Sequence, residues 1–150
     1  MGKIMEIPEL VNAKKLLLPY ALGLLAAMVA LHMYIGLSGG RITMVAQILL
    51  LVVAFAMVAW IWVKRQELSR LRFGPALVNS ISFAIITTSF QLNAVIQGIL
   101  VGRDGNVADV AHFLLETPWF GLTFGMSALW GIGLIFHLIG AILDRGMEYS

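Results

Sequence analysis

"ITMVAQILLLVVAFAMVAWIWV", residues 42–63, is the stretch that decides the fold class. It contains no Asp, Glu, Lys or Arg. It also exceeds the ~20 residues that cross ~30 Å of hydrocarbon at a rise of 1.5 Å per residue. A helix that is apolar on every side has no face to offer to water, so it is buried in a large core or in a membrane. Trp60 and Trp62 close the stretch and Lys64 and Arg65 follow at once, an aromatic belt and a basic anchor at one membrane interface.

Three more stretches, 16–37, 75–101 and 118–143, are comparably long and apolar. The 150 residues are 60% hydrophobic and 12% charged, with a mean hydropathy of +0.92. A soluble domain carries about 25% charged residues, so the soluble class is excluded on composition. The sequence predicts an all-α polytopic membrane protein over 1–150, a four-transmembrane-helix bundle with a short extracytoplasmic interfacial helix. The first apolar stretch is longer than the 7–15 residues of a signal-peptide core and ends without an A-x-A-like cleavage site, so it reads as a span. Cysteine is absent, which excludes disulfides, thiolate metal sites and a cysteine nucleophile. The formal net charge of +2 is too small and scattered to attract nucleic acid.

Lys3, Lys14, Lys15, Lys64, Arg65, Arg70, Arg72 and Arg145 fall in segments 1–15, 64–73 and 144–150, on one side of the predicted topology. The other side holds Arg41 and Arg103 alone. Cations are retained on the cytoplasmic face. The expectation is a protein of the cytoplasmic (inner) membrane with both termini in the cytoplasm. The helix of the second span is expected to continue into "KRQELSRLRFG" until Gly74-Pro75 breaks it. The cations of this loop would draw anionic lipid. At the N-terminus a short interfacial helix is expected near Pro8, with Ile4, Ile7 and Leu10 toward lipid.

The third span, "PALVNSISFAIITTSFQLNAVIQGILVG", is unlike the others. Asn79, Thr87, Thr88, Gln91, Asn93 and Gln97 would either line a pore or groove for a small solute, or bond the helices to one another. No ring of acids or bases is present to select ions, which favours interhelical bonding. The outer loop "GRDGNVADVAHFLLETP" offers Asn106 as an N-cap with Asp109 as an approximate capping box. Val107, Val110, Ala111 and Leu114 would form the apolar face, with Asp109, His112 and Glu116 turned away. Thr117 and Pro118 read as the cap and first residue of the fourth span.

In the first span Gly23, Ala26, Ala27 and Ala30 allow close helix approach, and in the fourth Gly121, Gly125 and Gly133 form an expected packing interface. His32 lies near the outer end of the first span and His137 in the inner half of the fourth, ~15–20 Å apart along the membrane normal by helical rise. They cannot both ligate one haem, which leaves haem open only between identical histidines of two subunits or on a single axial ligand. The plainer expectation is no cofactor, with His137 bonding a polar group of the third span. His32, His112, Asp104, Asp109 and Glu116 have no close metal-ligand spacing, so no metal is expected.

Pro118-Trp119, Trp130, Gly131, Gly133, Leu134 and His137 resemble the second helix of the 2TM domain family, bacterial two-helix membrane modules found alone or attached to histidine kinases and regulators. The resemblance covers residues 71–143 at most. Asn93 corresponds to a polar position of that family's first helix, while the third span has no histidine. What it implies is a membrane anchor or sensor-associated module. The functional expectation is a non-enzymatic membrane module, a homo-oligomer or small subunit of a larger complex. The alternatives are an oligomeric pore lined by the third span and a b-type cytochrome or quinone-linked subunit using His137 or His32.

Overall fold

The computed structural model describes residues 12–104 and 106–146, so the expected helix near Pro8 lies outside the described residues. Four helices are long and apolar enough to cross a membrane. The first, α1 (Ala13–Leu37), starts at Asn12, whose side chain accepts the backbone N–H groups of Lys14 and Lys15 at 3.0 and 3.3 Å. Gly39 and Gly40 end it with φ of 76° and 75°, the left-handed conformation that glycine adopts without steric cost. The Gly40 N–H closes back on the Ile35 carbonyl at 2.9 Å.

Next, α2 (Met44–Ser69) runs back and continues past residue 63 as expected, but ends at Ser69, short of Gly74-Pro75. The chain turns at Phe73, which takes a left-handed φ of 62°, into α3 (Gly74–Val101), with Pro75 in its first turn. The short α4 (Val107–Leu115) follows, capped by Asn106 on the Ala108 N–H at 3.0 Å. The last rod is α5 (Thr117–Phe120), a single π turn (Gly121–Gly125) and α6 (Met126–Gly146).

The helices alternate in direction. The α1–α2 turn and α4 lie at one end, here the upper end, and the α2–α3 turn at the lower. α1 buries one stripe, Leu16, Tyr20, Leu24, Met28, Leu31 and Ile35, at the spacing of one helix face. It packs against Val78, Ile86, Phe90 and Ala94 of α3 to form the core. α3 is central and also touches α2, α4 and α6, whereas α6 has no substantial contact with α1 or α2. Within the four-helix arrangement the packing is uneven, a central α1–α3 pair flanked by α2 and α6. The reason lies in side-chain size: α2 buries only Ala46 and Leu68, and its bulky Leu51, Val52, Phe55 and Trp62 all point outward.

Within the single chain, the small residues of the last rod and the apolar residues of α4 differ in what they meet. A Cβ placed on Gly121 or Gly133 would meet nothing within 4 Å, and Gly125 faces only its own helix at Phe120. The glycine of this rod that admits a neighbouring helix is Gly131, against the Phe83 ring at 3.5 Å. On α4, Val110 and Leu114 pack as expected, Val110 over Gly98 and Gly102. Val107 is 82% exposed, and Phe113 takes its place by stacking on Trp119 at 5.4 Å.

Candidate functional site

The polar residues of α3 were the candidate lining, and the structure sends them in different directions. Toward α1, the Ser82 hydroxyl donates to the Val78 carbonyl at 2.7 Å, so the Tyr20 hydroxyl donates to Ser82 at 2.6 Å. One turn from the upper end, Asn93 donates through Nδ2 to His32 Nδ1 at 2.7 Å. Toward α6, Asn79 Oδ1 accepts the Trp130 indole N–H at 2.9 Å. Gln97 lies over Gly40, where a Cβ would collide with its carboxamide. Thr87 is buried and donates to the Phe83 carbonyl at 2.6 Å, while Ser80 and Ser89 bond their own helix in the same manner.

These contacts satisfy groups that hydrocarbon would leave unpaired, and they occupy three separate seams. They do not converge on an axis. Thr88 and Gln91 differ: both are exposed and make no hydrogen bond among the described residues. Gln91 borders an apolar groove of about 470 Å³ between α3, α4 and the π turn, with Val95, Ile99, Leu114 and Phe124 as walls. Thr123, also on that groove, spends its hydroxyl hydrogen on the Trp119 carbonyl at 2.7 Å.

The interhelical histidine bond exists, but His32 makes it. Tyr20, Leu24, Met28 and Leu31 mark the buried face of α1, and His32 sits at its edge, a placement that four-residue spacing from Tyr20 could have revealed. Its ring meets Phe90 edge-on, with centroids 4.8 Å apart. With Nδ1 accepting from Asn93, the hydrogen resides on Nε2, which is buried without a partner among the described residues. Asn93→Leu would leave both ring nitrogens unpaired. It is expected to cost about 1–2 kcal/mol in a denaturing-detergent titration, against much less for Ser80→Ala, whose hydroxyl bonds only its own helix.

His137 is exposed at the lower end and does not bond α3. It borders a groove of about 610 Å³ with Ser69, Phe73, Pro75, Phe136 and Gly140. The levels of the two histidines on α3, near Pro75 and near Phe90–Asn93, are about 25 Å apart by helical rise. One haem cannot bridge them within a chain. At the upper end His112 and Glu116 approach to 3.7 Å on the exposed face of α4. Among the described residues no group of three His, Asp or Glu side chains is placed to hold a metal ion.

Missed from sequence was the seam that ties the two upper turns. The Trp119 indole N–H donates to the Gly40 carbonyl at 3.1 Å, both residues buried. Comparison with known proteins finds no matching family model, no matching curated sequence and no matching solved structure.

Proposed function

We propose that this chain is an integral protein of the cytoplasmic membrane, with both termini inside, that acts without catalysis by assembling through its helix faces. It would do so as a homo-oligomer or as a small subunit of a larger membrane complex. The observation that carries this reading is the pair Thr88 and Gln91, outward on α3 with no hydrogen bond among the described residues. A carboxamide facing hydrocarbon loses its hydrogen bonds to water and regains them only from another helix. The open surfaces at Gly121 and Gly133 leave room for such a helix.

A pore within one chain is a weaker reading, because Asn79 and Asn93 are committed to helix seams and the buried Thr87 to the backbone of its own helix. A b-type cytochrome is weaker for the separation of His32 and His137.

The test is the mass of the protein in lipid nanodiscs. The wild-type chain is expected at an integer multiple of 16.4 kDa, or with a co-purifying partner. Combined Gln91→Leu and Thr88→Val substitution is expected to move most of it to the single-chain mass while far-UV circular dichroism stays helical. A wild-type chain found single at every protein-to-lipid ratio would sink the proposal. Solute flux from liposomes that disappears in the same double variant, with the oligomer intact, would replace it with the pore.

A further inference from the structure

We infer that the lower-end groove between the α2–α3 turn and α6 is a docking site for the phosphate of one anionic glycerophospholipid, with His137 and Arg72 as its hydrogen-bond donors. The inference rests on the membrane reading above.

Four observations converge there. The groove is amphipathic: Phe136 and Pro75 give it an apolar wall for an acyl chain, while the exposed His137 imidazole stands on its surface with no hydrogen-bond partner among the described residues. Gly140, one turn further along α6, has no neighbour within 4 Å, so a headgroup has room beside the ring. Arg72 holds its guanidinium 5.3 Å from the centroid of the Phe73 ring, itself part of the groove, which puts the charge at the rim. The same end exposes Lys14, Lys15, Arg65 and Arg70. Its one acid among the described side chains, Glu67, is already paired with Lys64 at 2.7 Å. The described side chains of this end are therefore mostly cationic, and polybasic segments at a membrane surface attract anionic lipid.

The turn that carries these groups is fixed. Gly74 is wedged beneath the Leu68 carbonyl, the Gly74 N–H bonds the Leu71 carbonyl at 3.1 Å, and Phe73 is locked in its left-handed conformation. The first turn of α3 has no side-chain cap, so its partial positive charge adds to that of these cations. A lipid phosphate suits this geometry better than a free anion, because the apolar half of the groove would stay unfilled by the anion alone.

The depth of His137 on α6 agrees with this role, since its ring shares the groove with Pro75. α6 extends past the start of α3, so the ring lies level with the first turn of α3, at the polar boundary rather than in mid-membrane.

The experiment is native mass spectrometry of detergent-solubilised protein offered dioleoyl phosphatidylglycerol and dioleoyl phosphatidylcholine in equal amounts. The wild-type chain is expected to retain one phosphatidylglycerol, about tenfold over phosphatidylcholine. His137→Ala and Arg72→Gln are each expected to lower that retention about tenfold, the scale of one charge-assisted hydrogen bond. Arg103→Gln and His112→Ala, at the upper end, are expected to leave it unchanged. Equal retention of the two lipids, or unchanged retention in both lower-end variants, would overturn the site. Displacement of the phosphatidylglycerol by an equal concentration of sodium phosphate would overturn the lipid assignment in favour of a free anion. Alkaline carbonate extraction separates the two readings. A chain released from membranes defeats the membrane reading and the site together, whereas a retained chain without lipid preference defeats the site alone.

Discussion

Trp119→Ala is expected to destabilise the chain by about 4 kcal/mol, the largest effect of any single truncation considered, since emptying a buried tryptophan site costs about 3–5 kcal/mol. Trp119 is 1% exposed and fills the space beneath α4, against Phe113. Its indole N–H is also the partner of the Gly40 carbonyl. Removing it opens a cavity and strands a buried acceptor at once. Trp119→Phe separates the two contributions, because it keeps most of the ring and loses only the donor, at about 1–3 kcal/mol for the stranded acceptor. A denaturing-detergent titration followed by circular dichroism reads both. If Trp119→Ala matched Trp119→Phe, the indole would matter only as a donor and the packing account of the upper end would be wrong.

Gly74→Ala is expected to cost about 3 kcal/mol, at the upper edge of what overpacking by one methyl usually brings. The new Cβ would be driven into the Leu68 carbonyl and would lie 3.1 Å from Leu71 Cβ. A backbone carbonyl cannot swing away as a side chain can, so the α2–α3 turn itself must shift. Gly140→Ala is the control. Nothing lies within 4 Å of that site, so it is expected to be neutral or slightly stabilising through helix propensity. The same titration reads both variants, and similar midpoints for the two would refute the tight turn. Gly74→Ala should also weaken phosphatidylglycerol retention, because Phe73 and Arg72 move with the turn.

The seams around α3 bear on how such a protein holds together where apolar contact alone gives little preference. Lipid tails are as apolar as leucine, so helix pairs are chosen by packing and by polar groups that must find partners. Tyr20 with Ser82, His32 with Asn93, and Trp130 with Asn79 each tie α3 to a particular neighbour at a particular depth. That leaves Thr88 and Gln91 as the polar groups of the candidate lining that a further helix could engage.

The sequence by itself determined the helices, since their existence follows from local chemistry. Four apolar stretches of spanning length and the Asn106 cap are written in consecutive residues, and the described structure has them; Gly74-Pro75 opens α3 rather than ending α2, which stops at Ser69. The distribution of Lys and Arg likewise predicts an orientation from consecutive residues alone. Only the tertiary structure decided the partners. A run such as "ILLLVVAFAMVAW" is apolar all round, so no periodicity tells which side meets protein and which meets lipid. Hence it was packing that made α2 and α6 the outlying helices, and within the chain it is Gly131 that meets the ring of Phe83. For the same reason the interhelical bond expected of His137 belongs to His32. Whether a polar side chain is satisfied depends on the relative rotation and depth of two helices, which long-range packing fixes and no local pattern encodes.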